Sequence, residues 1–196
     1  RGLEIEYTPD TRSYKKLLPT LAKYPDAACV TIDDDLIYNF DLLENLVNAY
    51  NEDPGYIHAC RVHRIKVDNN GCPLPYNDWD WCAGSRKATK YNFATGAGGI
   101  LYPPHSLSLH VNDSEAYTRL APLADDIWFY AMALLNGYRV KKCFTRSSLG
   151  EEYIQNESVQ AMSLNSANVA GGKNDEQIRA VFEAYGIYDI LNSNLK

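Results

Sequence analysis

The feature that most constrains this chain is a short apolar segment that ends in three consecutive carboxylates. Residues 27–32 are small, apolar or β-branched and carry no charge, and Asp33, Asp34 and Asp35 follow them directly. Such a segment predicts a buried strand, so we expect the three carboxylates at a strand end. Adjacent anions repel one another, and this placement therefore favours a bound cation.

The acidic triplet predicts a metal site. Side chains alternate along an extended segment, which puts Asp33 and Asp35 on one side of the chain and Asp34 on the other. Mg²⁺ and Mn²⁺ prefer oxygen ligands, and Mg²⁺ is usually held by one or two carboxylates together with substrate phosphates. We interpret Asp33 and Asp35 as ligands of Mn²⁺ or Mg²⁺. A solvated acidic loop or a helix cap is the alternative.

Composition narrows the class of protein. The chain has 196 residues, of which 45% are hydrophobic and 22% charged, so we expect a single domain over residues 1–196. Its net charge of -6 argues against a nucleic-acid partner. The five cysteines show no Cys-x-x-Cys spacing, which favours a reducing, cytoplasmic compartment. We expect no membrane-spanning segment and leave peripheral membrane association open.

The order of elements predicts an α/β fold. Residues 3–7 alternate as in a strand, residues 13–24 have helical spacing interrupted by Pro19, and the acidic strand follows. A strand-helix-strand unit is typical of a parallel sheet with its ligand site at the carboxyl ends of the strands. Further along, the patterns predict a helix over 40–51, strands over 56–62 and 138–144, a turn at 68–71, a polar loop over 147–173 and a helix over 174–185.

A glycine-rich segment over residues 95–99 leads into an apolar strand. Because it runs into a strand, it matches neither the dinucleotide fingerprint nor the P-loop. Glycine still allows a ligand to approach the backbone closely and leaves amides available as donors. Gly96, Gly98 and Gly99 are therefore candidates for binding substrate, and a tight turn before a strand is the alternative.

A second acidic pair, Asp125 and Asp126, begins a strongly apolar helix that we expect to end near Gly137. The helix dipole explains one acid at this position, and it does not require two. A carboxylate here, opposite the metal ligands, is placed to act as a general base.

Two further residues complete the candidate site. The pair Lys15–Lys16 is a candidate for facing a diphosphate, and we place Lys15 in the site; a solvated helix lysine is the alternative for either residue, and more so for Lys16. Trp79 and Trp81 lie in a loop segment rich in aromatic and acidic residues, both are candidates for stacking on a sugar, and we place Trp79 in the site. Anchoring of that loop to the core is the alternative. We interpret His58 and His63 as structural or surface residues.

Together these segments resemble one family. The acidic triplet, residues 12–16, residues 95–104 and residues 124–128 look like the corresponding parts of GT-A-type glycosyltransferases, in particular bacterial enzymes of surface or capsular polysaccharide synthesis. The resemblance implies a GT-A-like (Rossmann-like), mostly parallel central sheet flanked by helices. It also implies a divalent metal, a nucleotide-diphosphate sugar donor and a saccharide acceptor.

The resemblance also implies roles for individual residues. Asp126 would be the general base, with Asp125 as the alternative base or as an acceptor contact. Asp34 would contact the ribose or sugar of the donor, and the glycine-rich segment would line the site between donor sugar and acceptor. Inversion is favoured because it needs only one base and no enzyme nucleophile.

The sequence departs from the family pattern at two places. About 30 residues precede the acidic triplet, whereas GT-A folds usually open with a βα unit that binds the nucleotide base. We therefore expect an N-terminally truncated chain or one that lacks the first βα unit. The last histidine is His110, so a late histidine ligand is absent or replaced. A non-catalytic nucleotide- or sugar-binding module and a metal-dependent phosphoester hydrolase remain alternatives.

Overall fold

A computed structural model describes residues 2–144, 153–155 and 172–193. Its strands are β1 (Cys29–Thr31), β2 (Leu36–Tyr38), β3 (Ile57–Ala59), β4 (Val62–Arg64), β5 (Asn92–Ala94), β6 (Ile100–Tyr102), β7 (Val140–Lys142) and β8 (Tyr153–Gln155). Its α-helices are α1 (Leu18–Lys23), α2 (Leu42–Glu52), α3 (Ser114–Leu120), α4 (Asp125–Leu135), α5 (Lys173–Ala184) and α6 (Ile187–Asn192). Single 3₁₀ turns cover Arg12–Lys16, Tyr76–Asp78, Gly96–Gly98 and Leu109–Asn112.

The central sheet is mixed and mostly antiparallel. Its four strands lie in the order β1-β6-β3-β7, and β6 runs antiparallel to both of its neighbours. Only the pairing of β3 with β7 is parallel in this sheet. The fold is thus α/β as predicted, but the prediction of a mostly parallel sheet is wrong. The sequence pattern predicted strands but not their order, in which β6, after the glycine-rich segment, lies between β1 and β3.

The N-terminal strand predicted over residues 3–7 does not form. These residues have no strand partner among the described residues, and Leu3 and Tyr7 are 89% and 96% exposed. The alternation of apolar and charged residues is compatible with a strand, but a strand also needs a neighbour to accept its backbone hydrogen bonds.

The helix predicted over residues 13–24 is split into two parts. A 3₁₀ turn over Arg12–Lys16 precedes α1, and Pro19 lies in the first turn of α1, where its missing amide hydrogen costs nothing. Tyr14 is buried in the first part, its hydroxyl donates to the Ala121 carbonyl oxygen at 2.6 Å, and its ring stacks on Tyr117. This anchoring fixes the direction of the neighbouring lysines.

Helix α4 forms the centre of the core. Nine of its eleven residues are buried, and it packs against α5, α6 and β5. A helix that is apolar on nearly every side must be enclosed, and Trp128 at its middle is fully buried. The helix ends before Gly137, whose φ of 78° confirms the predicted stop. Its N-terminus carries the second acidic pair.

Several other predictions hold. Helix α2 and helix α5 lie where their periodicity placed them, and the predicted turn at 68–71 ends at Gly71, which has a φ of 81°. The polar loop predicted over 147–173 falls largely outside the described residues. Within it, β8 is a strand that pairs antiparallel with β2. No helix among the described residues is both long enough and apolar enough to span a bilayer.

Candidate functional site

The acidic triplet lies in the turn between β1 and β2, next to the central sheet. Asp33 and Asp35 are partly buried and Asp34 is exposed. The backbone N–H of Asp33 donates to the Tyr38 Oη at 2.8 Å, which ties the start of the turn to the end of β2. The carboxylates therefore follow a sheet strand, as predicted, and are held by a short turn.

The second acidic pair meets the glycine-rich segment. Asp125 is 6% exposed at the start of α4, and Asp126 accepts hydrogen bonds from the Gly96 amide through both carboxylate oxygens, at 3.1 and 3.0 Å. Residues 30 positions apart in sequence are therefore in direct contact. The Gly96 amide fixes the orientation of the Asp126 carboxylate.

Lys16 connects the two acidic motifs. Its Nζ lies 2.9 Å from Asp33 Oδ1 and 3.4 Å from Asp125 Oδ2, and its side chain is 21% exposed. Burial alone would lower the pKa of Lys16, but the negative charges of Asp125, Asp126 and Asp33 outweigh burial and raise this pKa above its ordinary value. A charged ammonium group thus lies between carboxylates that would otherwise repel one another.

The surroundings of Asp126 raise the pKa of its carboxyl group. Burial, and then the negative charge of Asp125, raise the pKa of Asp126 to about 7, although Lys16 and the Gly96 amide act in the opposite direction. A general base works best when its pKa lies close to the operating pH, because it is then ionised and still able to hold a proton.

The glycines are required by close contacts. A Cβ at Gly96 would lie 2.9 Å from Asp126 Oδ1 and 3.1 Å from Lys16 Nζ. A Cβ at Gly98 would lie 2.2 Å from the Cβ of Arg61, and Gly99 has a φ of 84°. The segment forms the 3₁₀ turn before β6, so it is a tight turn as well as the surface against which the Asp126 carboxylate rests.

The carboxylates fit a divalent ion that also binds substrate. Asp33 and Asp35 offer oxygen ligands, and the buried Oδ2 of Asp125 is paired with the Lys16 ammonium at 3.4 Å. Within the described ranges, no group of three or more His, Cys, Asp or Glu side chains is arranged to hold a metal ion. Carboxylate oxygens are the type of ligand that Mg²⁺ and Mn²⁺ prefer, and an ion held by Asp33 and Asp35 would need further oxygens from a substrate.

Two predicted contacts lie away from this cluster. Lys15 is exposed, and its Nζ lies 3.4 Å from Asp10 Oδ1 on the surface. Trp79 is 3% exposed and donates its indole N–H to the Leu74 carbonyl oxygen at 2.8 Å. Its ring is part of the core and offers no face to a sugar, so the expected stacking role does not fit. The burial of Trp79 and its hydrogen bond to Leu74 fit the alternative, in which Trp79 anchors the loop to the core.

The sequence interpretation missed Lys16. Lys15 and Lys16 are adjacent and alike, and by themselves they gave no reason to prefer the second. Tyr14 and Leu17 decide between them, because both are buried and so fix which side of the 3₁₀ turn faces the acids. A signal in the sequence was the spacing of Tyr14 and Leu17, which are three positions apart and so share a face of a helical turn.

The cluster thus joins the acidic turn, a carboxylate whose pKa is raised by its surroundings, and the Lys16 ammonium. Such an arrangement is able to bind an anionic ligand with a divalent ion and to accept a proton nearby. Comparisons with protein-family models, curated proteins and solved structures gave no match to this chain.

Proposed function

We propose that this chain is a metal-dependent glycosyltransferase that moves a sugar from a nucleotide-diphosphate sugar to a saccharide acceptor, with inversion at the anomeric carbon. One observation carries the proposal: the Lys16 ammonium group pairs with both Asp33 and Asp125. A donor-binding motif and a base motif need to lie beside each other for glycosyl transfer, although they lie far apart in this sequence.

The proposed transfer uses one base. The acceptor hydroxyl oxygen attacks the anomeric carbon of the donor, and the bond from that carbon to the diphosphate oxygen breaks with its electrons on the diphosphate. The hydroxyl proton moves to the carboxylate of Asp126, whose pKa of about 7 allows it to accept the proton at neutral pH. The Gly96 amide holds both oxygens of this carboxylate in place.

The diphosphate side of the proposed site is formed by three charged side chains. Asp33 and Asp35 would hold Mn²⁺ or Mg²⁺, and the metal, when bound, would stabilise the negative charge of the leaving diphosphate. Lys16 adds a second positive charge at the same place, since its Nζ already lies 2.9 Å from Asp33. Asp34 is exposed beside them and is the proposed contact to the donor ribose or sugar.

The proposal also includes a GT-A-like arrangement and a place in surface or capsular polysaccharide synthesis. The mixed α/β sheet, with acids directly after β1, supports the first, and the resemblance of the motifs supports the second. The cytoplasm is proposed from the cysteine pattern alone.

Calorimetry with nucleotides tests the donor site. UDP, GDP and their sugar derivatives are titrated into the protein with and without Mn²⁺, and the same series is repeated with Asp35→Ala. Asp10→Ala is the matched control, because Asp10 is an exposed acid that pairs only with surface groups. We expect Mn²⁺-dependent binding that Asp35→Ala weakens at least tenfold and Asp10→Ala leaves unchanged.

Transfer itself is then measured with the donor that binds. Release of the nucleotide diphosphate that depends on a saccharide acceptor, and that Asp126→Asn abolishes without weakening donor binding, supports the assignment of the base. If no nucleotide binds under either condition, the proposed function is wrong for this chain. Release of phosphate from simple esters without an acceptor would point to the hydrolase instead.

A further inference from the structure

A second group of side chains contacts the glycine turn at Thr95, the residue before the one that holds the proposed base. The Nη1 of Arg61 donates to Thr95 Oγ1 at 3.1 Å, and the guanidinium carbon lies 6.0 Å from the centre of the Trp81 ring. Trp81 is 44% exposed and stacks on His63, with 4.9 Å between ring centres. We call Arg61, His63, Trp81 and Lys142 the Arg61 cluster.

The Arg61 cluster carries positive charge that no carboxylate balances. Across residues 2–144, 153–155 and 172–193, no ion pair includes Arg61 or Lys142. Lys142 is 9% exposed, and its ammonium group donates to the Ala83 carbonyl oxygen at 3.1 Å. Burying a cation without an anion is costly, so an anion bound here would be favourable.

His63 adds a hydrogen-bond donor to the cluster without adding charge. Burial, and then the charge of Arg61, lower the pKa of His63 to about 3, so the imidazole is neutral at physiological pH. Its Nδ1 accepts the backbone N–H of Cys82 at 3.1 Å, which places the ring proton on Nε2. That Nε2 is buried and has no partner among the described residues.

The backbone places Arg61 next to the base. Thr95 accepts a hydrogen bond from the Arg61 guanidinium, and the next residue, Gly96, donates one to Asp126. Because consecutive Cα atoms are only about 3.8 Å apart, these two hydrogen bonds lie close together. Lys16 approaches the same turn at Gly96, whereas the Cβ of Arg61 packs against Gly98. The Arg61 guanidinium, at Thr95, and the Lys16 ammonium, at Gly96, therefore both lie next to the part of the turn that holds Asp126.

We propose that Arg61 binds a carboxylate or phosphate group of the saccharide acceptor, while the exposed part of Trp81 packs against an acceptor sugar ring. This inference rests on the proposed function, because it assigns the acceptor side from the position of the base. A guanidinium group matches carboxylate and phosphate oxygens with two parallel hydrogen bonds, and aromatic faces pack well on apolar sugar faces. The acceptor class is thus an anionic saccharide.

Ligand-observed NMR tests the inference with defined probes. The carboxylate probe is a chondroitin tetrasaccharide compared with maltotetraose, and the phosphate probe is mannose 6-phosphate compared with mannose. The variants are Arg61→Met, which keeps the chain length without the charge, and Arg61→Lys, which keeps the charge without the planar fork. Arg86→Met is the control, since Arg86 is an exposed arginine that also lies near an aromatic ring, that of Phe144.

We expect the wild-type chain to bind at least one anionic probe about tenfold more tightly than its neutral counterpart, the effect of a charge-assisted hydrogen bond. Arg61→Met should bring this ratio close to one, Arg61→Lys should keep part of it, and Arg86→Met should leave it unchanged. Which probe responds identifies the anion. Circular dichroism melting confirms that each variant is folded.

Two results overturn the inference: neither anionic probe is preferred by the wild type, or the preference survives in folded Arg61→Met. Calorimetry with Mn²⁺ and the nucleotide diphosphate is run on the same samples to separate this inference from the proposed function. If the protein binds the nucleotide but does not prefer an anionic probe, only the role assigned to Arg61 is wrong. If the protein prefers an anionic probe through Arg61 but binds no nucleotide, the anionic saccharide site stands and the transferase proposal is wrong.

Discussion

The Gly96 amide donates to both carboxylate oxygens of Asp126, and a Cβ on Gly96 would lie 2.9 Å from one of them. In Gly96→Ala, the carboxylate and the Lys16 ammonium must move, because both are ends of flexible side chains in the path of the new methyl group. We expect transferase activity to fall at least tenfold, whereas the free energy of unfolding changes by less than about 1 kcal/mol. Activity assays and urea unfolding measure the two effects. Equal activity in the variant would contradict this role of the turn.

Gly98→Ala should behave differently. Its new Cβ would lie 2.2 Å from the Cβ of Arg61 and 2.8 Å from its backbone nitrogen, so backbone would have to shift. We expect a loss of about 2 to 3 kcal/mol in the free energy of unfolding, the usual cost of overpacking. Urea unfolding of both alanine variants checks the contrast. If Gly98→Ala is as stable as Gly96→Ala, the backbone at Arg61 moves away from the new methyl group at little cost.

Asp126→Asn should change the pH dependence of stability. The pKa of Asp126 is raised from 3.8 to about 7 in the fold, so the folded state keeps a proton that the unfolded chain loses. Its contribution to stability is therefore fully present below about pH 4 and is lost as pH rises to about 7. Relative to wild type, the Tm of Asp126→Asn should rise over this window, by at least about 2 °C, and then level off.

Melting curves of both proteins from pH 4 to 8.5 measure this difference directly. Asp34→Asn is the control, because Asp34 is an exposed carboxylate in the neighbouring acidic turn. A constant difference in Tm between Asp126→Asn and wild type across the window would show that the pKa of Asp126 is not raised.

Lys16→Met should destabilise the fold by about 2 kcal/mol. It removes the ammonium group that lies 2.9 Å from Asp33 and 3.4 Å from Asp125, and leaves partly buried carboxylates without their cation. Lys15→Met is the matched control, since Lys15 pairs with Asp10 on the surface and should change stability by less than about 0.5 kcal/mol. Urea unfolding compares them, and equal effects would remove the distinction between the two lysines.

Tyr38→Phe should loosen the acidic turn. The change deletes the hydroxyl oxygen that accepts the Asp33 N–H at 2.8 Å, and it keeps the ring that lies against Tyr153. We expect a loss of about 1 kcal/mol and faster hydrogen exchange at the Asp33 amide. Tyr7→Phe, at a residue 96% exposed, should change neither quantity. Unchanged exchange in Tyr38→Phe would mean that the turn is held by other contacts.

Local patterns in the sequence predicted elements better than their arrangement. The stop at Gly137 and the turn at Gly71 follow from the chemistry of a single residue, and the structure confirms both. The pairing of strands depends on partners far along the chain. For that reason the antiparallel insertion of β6 and the lack of a partner for residues 3–7 were not predicted.

The candidate site shows the same division. Asp33 was singled out because three adjacent acids follow an apolar strand, and Asp125 and Asp126 because a helix start does not require two acids. The structure brings Asp33 and Asp125 onto Lys16. Lys16 and Arg61 were missed because each sits among other basic or apolar residues with no spacing signal of its own. Their environments are defined only by tertiary contacts.

One long-range hydrogen bond connects helix α5 to a residue beside the Arg61 cluster. The Asp175 carboxylate, in the first turn of α5, accepts the backbone N–H of Tyr76 at 2.7 Å across 99 positions of sequence. The Tyr76 ring in turn lies 5.8 Å from Trp81 and 5.9 Å from His63. Helix α5 thus helps to position the Tyr76 ring beside the Arg61 cluster, although it contributes no residue to that cluster.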